Sequence, residues 1–434
     1  MMIEIIICIF VLGYLCIALE HPIKIDKAGS ALVTGVLCWV VIVMFSGEDS
    51  HIAIKNLEHT FLPEIAEILF FLLGAMTIVE LVDAHEGFAV ITNKIKTVNR
   101  VKLLWILSIL TFFFSAILDN LTTAIIMASL LPKIIKDKDD IWFFAGMLII
   151  AANAGGAWSP MGDVTTIMLW IDGQVTLNII PAIFIPSLVC MLTPLIYLSF
   201  TLTGNISRPI INKEIEHKLN PTSLFERNFI FIAGVLGLLF VPIFKLVTHL
   251  PPYMGMLLSL GILWMASEIL HRTKNSEQKS SFTVVGVLQK IDMPTILFFL
   301  GILLAVGALA ESGILKTLSV FLNDSEAING NLYVINIIIG LLSAIVDNVP
   351  LVAGAMNMYP IAISGDFAQD GLFWQFLAYC AGTGGSVLII GSAAGVAVMG
   401  ILKIDFMWYL KKISFLALIG YASGAATYII LQII

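Results

Sequence analysis

The sequence predicts an all-α integral membrane protein: a polytopic helical bundle with two inverted repeats, each with a re-entrant hairpin and a broken transmembrane helix. Three observations lead to this class. Of the 434 residues, 59% are hydrophobic and only 12% are charged, whereas a soluble domain averages about 25% charged residues. The apolar residues form long blocks separated by short polar loops. Short polar motifs also occur twice, in the same order, in the two halves of the chain.

Ten apolar blocks are long enough to cross a bilayer core, which takes roughly 20 residues. We predict crossings at 3–19, 28–46, 63–84, 141–172, 178–203, 228–249, 252–270, 292–310, 372–402 and 410–431. The first block carries Glu4 where a signal peptide would have basic residues, so we expect it to be retained as a span. Two further stretches, 101–135 and 332–364, have an Asp-Asn pair in their middle, and we predict that both are re-entrant hairpins.

The distribution of basic residues favours the hairpin interpretation. Six loops hold 20 of the 23 lysines and arginines: 20–27, 85–102, 133–140, 204–227, 271–290 and 403–412. The loops at 47–62, 173–177, 323–331 and 365–371 hold only Lys55. Lysine and arginine concentrate in cytoplasmic loops, and all six basic loops share one side only if both Asp-Asn stretches turn back. This arrangement places both termini outside.

Matching strings at nearly one offset indicate an internal repeat. Ser-Ala-Ile-Leu-Asp-Asn-Leu at 115–121 matches Ser-Ala-Ile-Val-Asp-Asn-Val at 343–349, and the Gly-Gly pair at 155–156 matches the pair at 384–385. Five predicted crossings separate the starts of the two copies, and an odd number inverts the second copy. We therefore divide the chain into N-terminal helices (1–60), a first repeat (61–203), connecting loops and two helices (204–291) and a second repeat (292–434). Inverted repeats with broken helices hold the substrate site of many secondary transporters.

Three aspartates fall at predicted membrane depth: Asp119 and Asp347 at the two hairpin tips, and Asp163 in the broken span. A charge at the bilayer centre costs at least about 2.5–3.5 kcal/mol on insertion scales, so it indicates a function or a partner. No lysine or arginine lies close to them in sequence. The alternative is structural, because a lone aspartate can also cap a half-helix.

The segment 153–166 is the most informative polar stretch. Gly155, Gly156, Pro160 and Gly162 are expected to break the helix there, and unwound backbone with side-chain oxygens suits a hard cation. Its counterpart in the second repeat is 381–392. The glycines could instead serve close packing of helices.

The residues expected to bind or transport the ion are Ser115, Asp119, Asn120, Thr123, Asn153, Ser159, Asp163, Thr165, Thr166, Ser343, Asp347, Asn348, Thr383 and Ser386. Among them, Asp119, Asn120, Asn153 and Asp163 are the predicted Na⁺ ligands. Up to three carboxylates facing one cavity would repel an anion and attract a cation. Burial disfavours the charged form of a carboxyl group, so such an aspartate can hold a proton and release it to Na⁺. We expect Asp119 and Asp163 to form the exchange site, with Asp347 in a supporting role.

The strings at 115–123, 153–166 and 343–350 resemble the NhaD-type Na⁺/H⁺ antiporters of the ion transporter superfamily, and the resemblance extends over the chain from about residue 60. It implies exchange of Na⁺ or Li⁺ for H⁺ by alternating access, with no cofactor. It also implies an elevator-like motion, a homodimer, and a location in the lipid bilayer of a bacterial inner membrane.

Other function classes remain open at this point. A Na⁺-coupled dicarboxylate or organic-anion carrier of the same fold is the main alternative, although the tip carboxylates disfavour it. An intramembrane aspartyl protease that uses Asp119 and Asp163 would leave Asp347 without a role, and a channel would not need two inverted half-sites. No basic patch suggests nucleic acid. The five cysteines lie in apolar segments without a Cys-x-x-Cys motif, so we expect free thiols.

Overall fold

The computed structural model describes residues 1–47, 50–88, 95–208, 223–272, 282–324 and 330–433. Throughout these ranges the chain is helical and contains no β-strand beyond two isolated bridges. Parts of the predicted loops at 47–62, 85–102, 204–227, 271–290 and 323–331 lie outside the described residues.

The helices of the first half are α1 (Met2–Ala18), α2 (Glu20–Ile23), α3 (Lys27–Phe45), α4 (Ser50–Asn56), α5 (Leu62–Ala84), α6 (Arg100–Leu118), α7 (Asn120–Ile134), α8 (Lys138–Ala157), α9 (Val164–Ile171) and α10 (Ile179–Thr201). A π-helical turn (Leu57–Phe61) joins α4 to α5. Those of the second half are α11 (Leu224–Thr248), α12 (Pro252–Leu270), α13 (Val284–Leu288), α14 (Met293–Glu311), α15 (Ile314–Asp324), α16 (Leu332–Leu342), α17 (Asn348–Met358), α18 (Leu372–Gly384), α19 (Ala393–Leu402), α20 (Phe406–Lys412) and α21 (Ser414–Ile433).

Nine helices within the described ranges are long and apolar enough to cross a membrane, and the bent pair α19 and α20, with an angle of 117° between them, would make a tenth. The chain is therefore an integral membrane protein, as its composition predicted. The apolar helices α1, α7 and α16 are shorter than this test requires. By its length of 19 residues α6 could also cross, so the re-entrant course of 101–135 stays a prediction.

Polar side chains fix the starts of several helices by accepting hydrogen bonds from their first free amides. Asn99 caps α6 through Lys102 N, Asp137 caps α8, and Ser223 caps α11 within a capping box. Asp292 caps α14 and Asn331 caps α16 in the same way. Because these residues are polar and lie at the ends of apolar runs, the helix boundaries could be located closely from the sequence.

The predicted breaks occur; the first glycine pair lies inside its helix, whereas the second pair lies at the end of α18. Helix α8 continues through Gly155 and Gly156 to Ala157, and the break covers 158–163. A Cβ atom on Gly155 would overlap the carbonyl of Phe112 in α6, and one on Gly384 in α18 would overlap the carbonyl of Gly340 in α16. At these positions glycine permits close helix packing, which was the alternative that the sequence left open.

The two halves of the molecule have matching contacts between helices. α6 packs on α8 as α16 packs on α18, and α1 packs on α3 as α11 packs on α12. Some contacts are exchanged between the halves: α7 packs on α19 and α9 packs on α17, while α5 packs on α12 and α14 packs on α3. As a result, the starts of α7, α9, α17 and α19 meet near the centre of the molecule.

Candidate functional site

The site is built around Asp163, which is only 1% exposed. Asp163 is the N-cap of α9: its Oδ1 accepts a hydrogen bond from Thr165 N at 3.1 Å. Its own amide donates to Thr166 Oγ1 at 3.2 Å, which completes a capping box. The broken span therefore places a carboxylate at the positive end of a short helix dipole, where negative charge is stabilised.

Two asparagines from different halves of the chain bind this carboxylate. Asn120, the first residue of α7, donates from Nδ2 to Asp163 Oδ2 at 2.6 Å. Asn348, the first residue of α17, donates from Nδ2 to Asp163 Oδ1 at 3.3 Å and to Oδ2 at 3.2 Å. Within the described residues, no lysine, arginine or histidine lies within 4 Å of the Asp163 carboxylate. The charge is thus surrounded by neutral donors.

Asn153 connects this centre to the second broken span. Its Oδ1 accepts from Asn120 Nδ2 at 3.0 Å, and its Nδ2 donates to Ser386 Oγ at 2.9 Å and to Ser392 Oγ at 3.0 Å. Ser392 caps α19 just as Asp163 caps α9. Ser392 is the residue that the repeat pairs with Asp163, and in the sequence it is a weaker candidate, together with Thr383 and Ser386.

Asp119 and Asp347 do not join the network around Asp163. Asp119 has a positive φ of 76° and caps α7: Oδ1 accepts from Thr122 N at 2.7 Å and Oδ2 accepts from Thr122 Oγ1 at 2.8 Å. Asp347 caps α17 through Val349 N at 3.2 Å. Thr122 was missed in the sequence, where its spacing of three residues after Asp119 is a capping signal.

Asp347 also lines a small cavity of about 50 Å³ with Tyr14, Glu20, Lys27 and Phe298. The Lys27 ammonium lies 4.6 Å from the centre of the Phe298 ring. A cationic side chain of α3 thus shares the cavity with this carboxylate.

The predicted hydroxyl residues mostly donate to backbone carbonyls of the helices next to the breaks. Ser115 donates to Ala152 O at 2.5 Å, and its counterpart Ser343 donates to Ala381 O at 2.9 Å. Ser159 donates to Ala116 O at 2.6 Å, and Thr383 donates to Tyr379 O at 2.6 Å. The hydroxyls of two other residues are buried without a hydrogen-bond partner among the described residues: Thr123 and Thr165.

Of the four predicted Na⁺ ligands, the structure joins Asn120, Asn153 and Asp163 directly. The Asp119 carboxylate is bound to Thr122 instead. Within the described part of the chain, no three of the histidine, cysteine, aspartate and glutamate side chains gather into a metal-binding group. The oxygen ligands available at the centre are therefore one carboxylate, amide carbonyls, hydroxyls and backbone carbonyls.

A cavity of about 520 Å³ opens at the far end of α9; we call it the outer vestibule. It lies between α5, α9, α11, α14 and α17, and its lining includes Glu64, Glu67, Asp172 and Lys245 together with the histidines His59 and His249. The vestibule borders the C-terminal parts of α9 and α17, the two helices whose first turns lie at the Asp163 centre. The predicted topology places it on the non-cytoplasmic side.

A family model described as "Citrate transporter" matches residues 14–377. Sodium/proton antiporter 1 of Arabidopsis thaliana is 45% identical over 97% of this chain and 71% of its own length. Sodium/proton antiporter 2 of the same plant is 41% identical over 97% of this chain and 98% of its length. Na(+)/H(+) antiporter NhaD of Alkalimonas amylolytica is 31% identical over 98% of this chain and 89% of its length.

The name of the family model and the names of these relatives point to substrates of opposite charge. The relatives are the more specific guide, because they match almost the whole chain at high identity. The central carboxylate, which no basic side chain contacts among the described residues, also suits a cation better than citrate.

Proposed function

This chain belongs to the NhaD-type Na⁺/H⁺ antiporters, and on that premise we propose that it exchanges Na⁺ for H⁺ across the membrane at a site centred on Asp163. One observation carries the proposal. Asn120 and Asn348, from the two predicted hairpin tips, converge on a single buried carboxylate with which no described cationic side chain is in contact. A buried charge of this kind needs a counter-ion, and either Na⁺ or a proton can supply it.

The amide groups explain how one site can accept both ions. An asparagine side chain carries a donor NH₂ and an acceptor oxygen. Asn120 and Asn348 donate to the Asp163 carboxylate in this structure, which is the arrangement that suits its ionised form. With Na⁺ bound, rotation of these amides would present their oxygens to the cation, and a protonated Asp163 could donate to the same oxygens. Because the two ions compete for one carboxylate, binding of one releases the other.

Alternating access would arise from the two inverted repeats. The matching and exchanged helix contacts of the two halves support this architecture, as do the equivalent bonds of Ser115 and Ser343. These contacts also pair α1 and α3 with α11 and α12, so we propose that the repeats begin near residues 1 and 223 rather than at 61 and 292. We retain re-entrant courses for 101–135 and 332–364 and an elevator-like motion as parts of this proposal.

The resemblance to the family supports Li⁺ as a second cation and a homodimer as the assembly. Only 22% of the α11 window is buried, the lowest share among the candidate spans, so α11 offers a surface to lipid or to a second copy. The NhaD relatives of Alkalimonas and Vibrio are bacterial, which supports a bacterial inner membrane. The two Arabidopsis relatives make a plant membrane the alternative to test by localisation.

The function is tested with the purified chain in proteoliposomes that carry a pH-sensitive dye and an imposed pH gradient. Addition of Na⁺ or Li⁺ should dissipate the gradient, whereas K⁺, succinate and citrate should not. Uptake of labelled citrate or succinate that depends on Na⁺, without proton movement, would instead assign the chain to the anion carriers.

Asp163→Asn should abolish the exchange, because the variant keeps the cap but not the charge. The matched control is Asp137→Asn, which alters an exposed N-cap aspartate at the start of the same broken span and should leave exchange unchanged.

A further inference from the structure

Lys245 is unusual among the basic residues of this chain. It lies in the last turn of α11, at the end of the molecule where the predicted loops hold almost no lysine or arginine. A lysine near a helix end commonly extends towards water. Lys245 is half-buried and lines the outer vestibule instead.

The Lys245 ammonium binds the C-terminal end of α9. Nζ donates to Trp170 O at 2.7 Å and lies 4.6 Å from the centre of the Trp170 ring. The last carbonyls of a helix lack intrahelical partners. In α9, Met168 O accepts from Asp172 N, and Leu169 O accepts from Val175 N. Lys245 thus satisfies the next carbonyl, and a cation at this end of a helix is favourable to the helix dipole.

Carboxylates are close at hand, yet Lys245 does not pair with them. Glu64, Glu67 and Asp172 line the same vestibule, but within the described residues none of them lies within 4 Å of Nζ. The ammonium therefore donates its hydrogen bond to the backbone of α9. The three carboxylates are alternative partners for it if α9 moves away.

We propose that Lys245 is a positioning residue for ion exchange: it holds one end of α9 and thereby fixes Asp163 at the other end. Helix α9 has eight residues and is therefore about 12 Å long, so a shift of its last turn is transmitted to its N-cap. The bond joins α9 to α11, a helix of the other half of the chain. This inference rests on the proposed role of Asp163.

The test measures the initial rate of Na⁺-driven proton release in proteoliposomes against Na⁺ concentration. Lys245→Met keeps the length of the side chain but removes the charge and the hydrogen bond. We expect its apparent KM for Na⁺ to rise roughly fivefold to tenfold, as expected for the net loss of a single hydrogen bond, with a maximal rate within about twofold of the wild type. Lys245→Arg should restore the wild-type KM.

The matched control is Lys138→Met. Lys138 also lies over a tryptophan ring, 4.4 Å from the centre of Trp142, but at the start of α8 and away from α9. This variant should leave KM and maximal rate unchanged. Thermal unfolding in detergent verifies that all three variants are folded.

An unchanged KM in Lys245→Met would overturn the proposal. A lower KM would also overturn it, because it would show that the ammonium acts by repelling Na⁺ from the vestibule. The site at Asp163 is tested separately: exchange that survives in Asp163→Asn removes that site, whatever the result for Lys245.

Discussion

The two Asp-Asn tips have the same sequence pattern but different surroundings. At the first tip both carboxylate oxygens of Asp119 are bound by Thr122, and the residue is buried with a left-handed backbone. At the second tip Asp347 accepts a hydrogen bond from Val349 N, and its side chain is partly exposed to a cavity that Lys27 also lines. The neighbouring asparagines differ less: both donate to Asp163.

At both tips the asparagine therefore makes the same kind of contact with Asp163, whereas the two aspartates have different partners. Asn120 and Asn348, one from each half of the chain, both donate to the Asp163 carboxylate. Asp119 fixes the start of α7, and Lys27 partly balances Asp347. The asymmetry extends to the caps of the two half-helices, Asp163 and Ser392, since only one of them carries charge.

The largest effect should come from the asparagines. Asn120→Ala removes the short bond to Asp163 and the bond to Asn153, and we expect exchange to fall roughly 100-fold. Asn348→Ala removes only the longer bonds and should cost roughly tenfold. Exchange rates at equal protein content in proteoliposomes measure both. Equal losses would show that the two tips contribute alike.

The tip aspartates should give effects that are smaller than that of Asn120→Ala and unequal at the two tips. In Asp119→Asn the cap can persist, because the Thr122 hydroxyl can accept from the new amide, so the variant isolates the loss of charge. We expect exchange to fall roughly tenfold or more, since no described cation contacts this buried charge. Asp347→Asn should retain exchange with an altered apparent affinity for Na⁺. The reverse ranking of the two variants would assign the active carboxylate to the second tip.

The smallest effect should come from the equivalent serines. Ser115→Ala and Ser343→Ala each remove one hydrogen bond to a backbone carbonyl of a broken span. Each should lower the free energy of unfolding by about 1 kcal/mol, measured by thermal unfolding in detergent. Similar losses at both positions would support the equivalence of the two halves, and a loss confined to one would weaken it.

Helix positions and the polar site could be predicted because their signals are local. The length of the apolar runs predicts the spans. Polar residues inside these runs, such as Asn153 and Asp163, predict the candidate site. The roles of Asp119 and of the glycine pairs could not be read in this way. Asp163 caps α9 and also accepts hydrogen bonds from Asn120 and Asn348. The Asp119 carboxylate instead accepts from Thr122, and this difference depends on the turn that each residue adopts. The role of Lys245 could not be predicted from the sequence, because its partner is a backbone carbonyl, that of Trp170, in a helix 75 residues away.

Competition between Na⁺ and H⁺ for the Asp163 carboxylate is the proposed basis of the exchange. It is tested most directly by adding Na⁺ to the detergent-purified protein in weakly buffered solution and measuring the protons released per Na⁺ bound. At a pH at which Asp163 is protonated before Na⁺ is added, the wild type should release about one proton per Na⁺, because one carboxylate binds either ion and burial favours its protonated form. Asp163→Asn should release none, while Asp119→Asn and Asp347→Asn should still release protons at higher Na⁺ concentration. Normal release from Asp163→Asn, with loss of release in Asp119→Asn, would contradict the account.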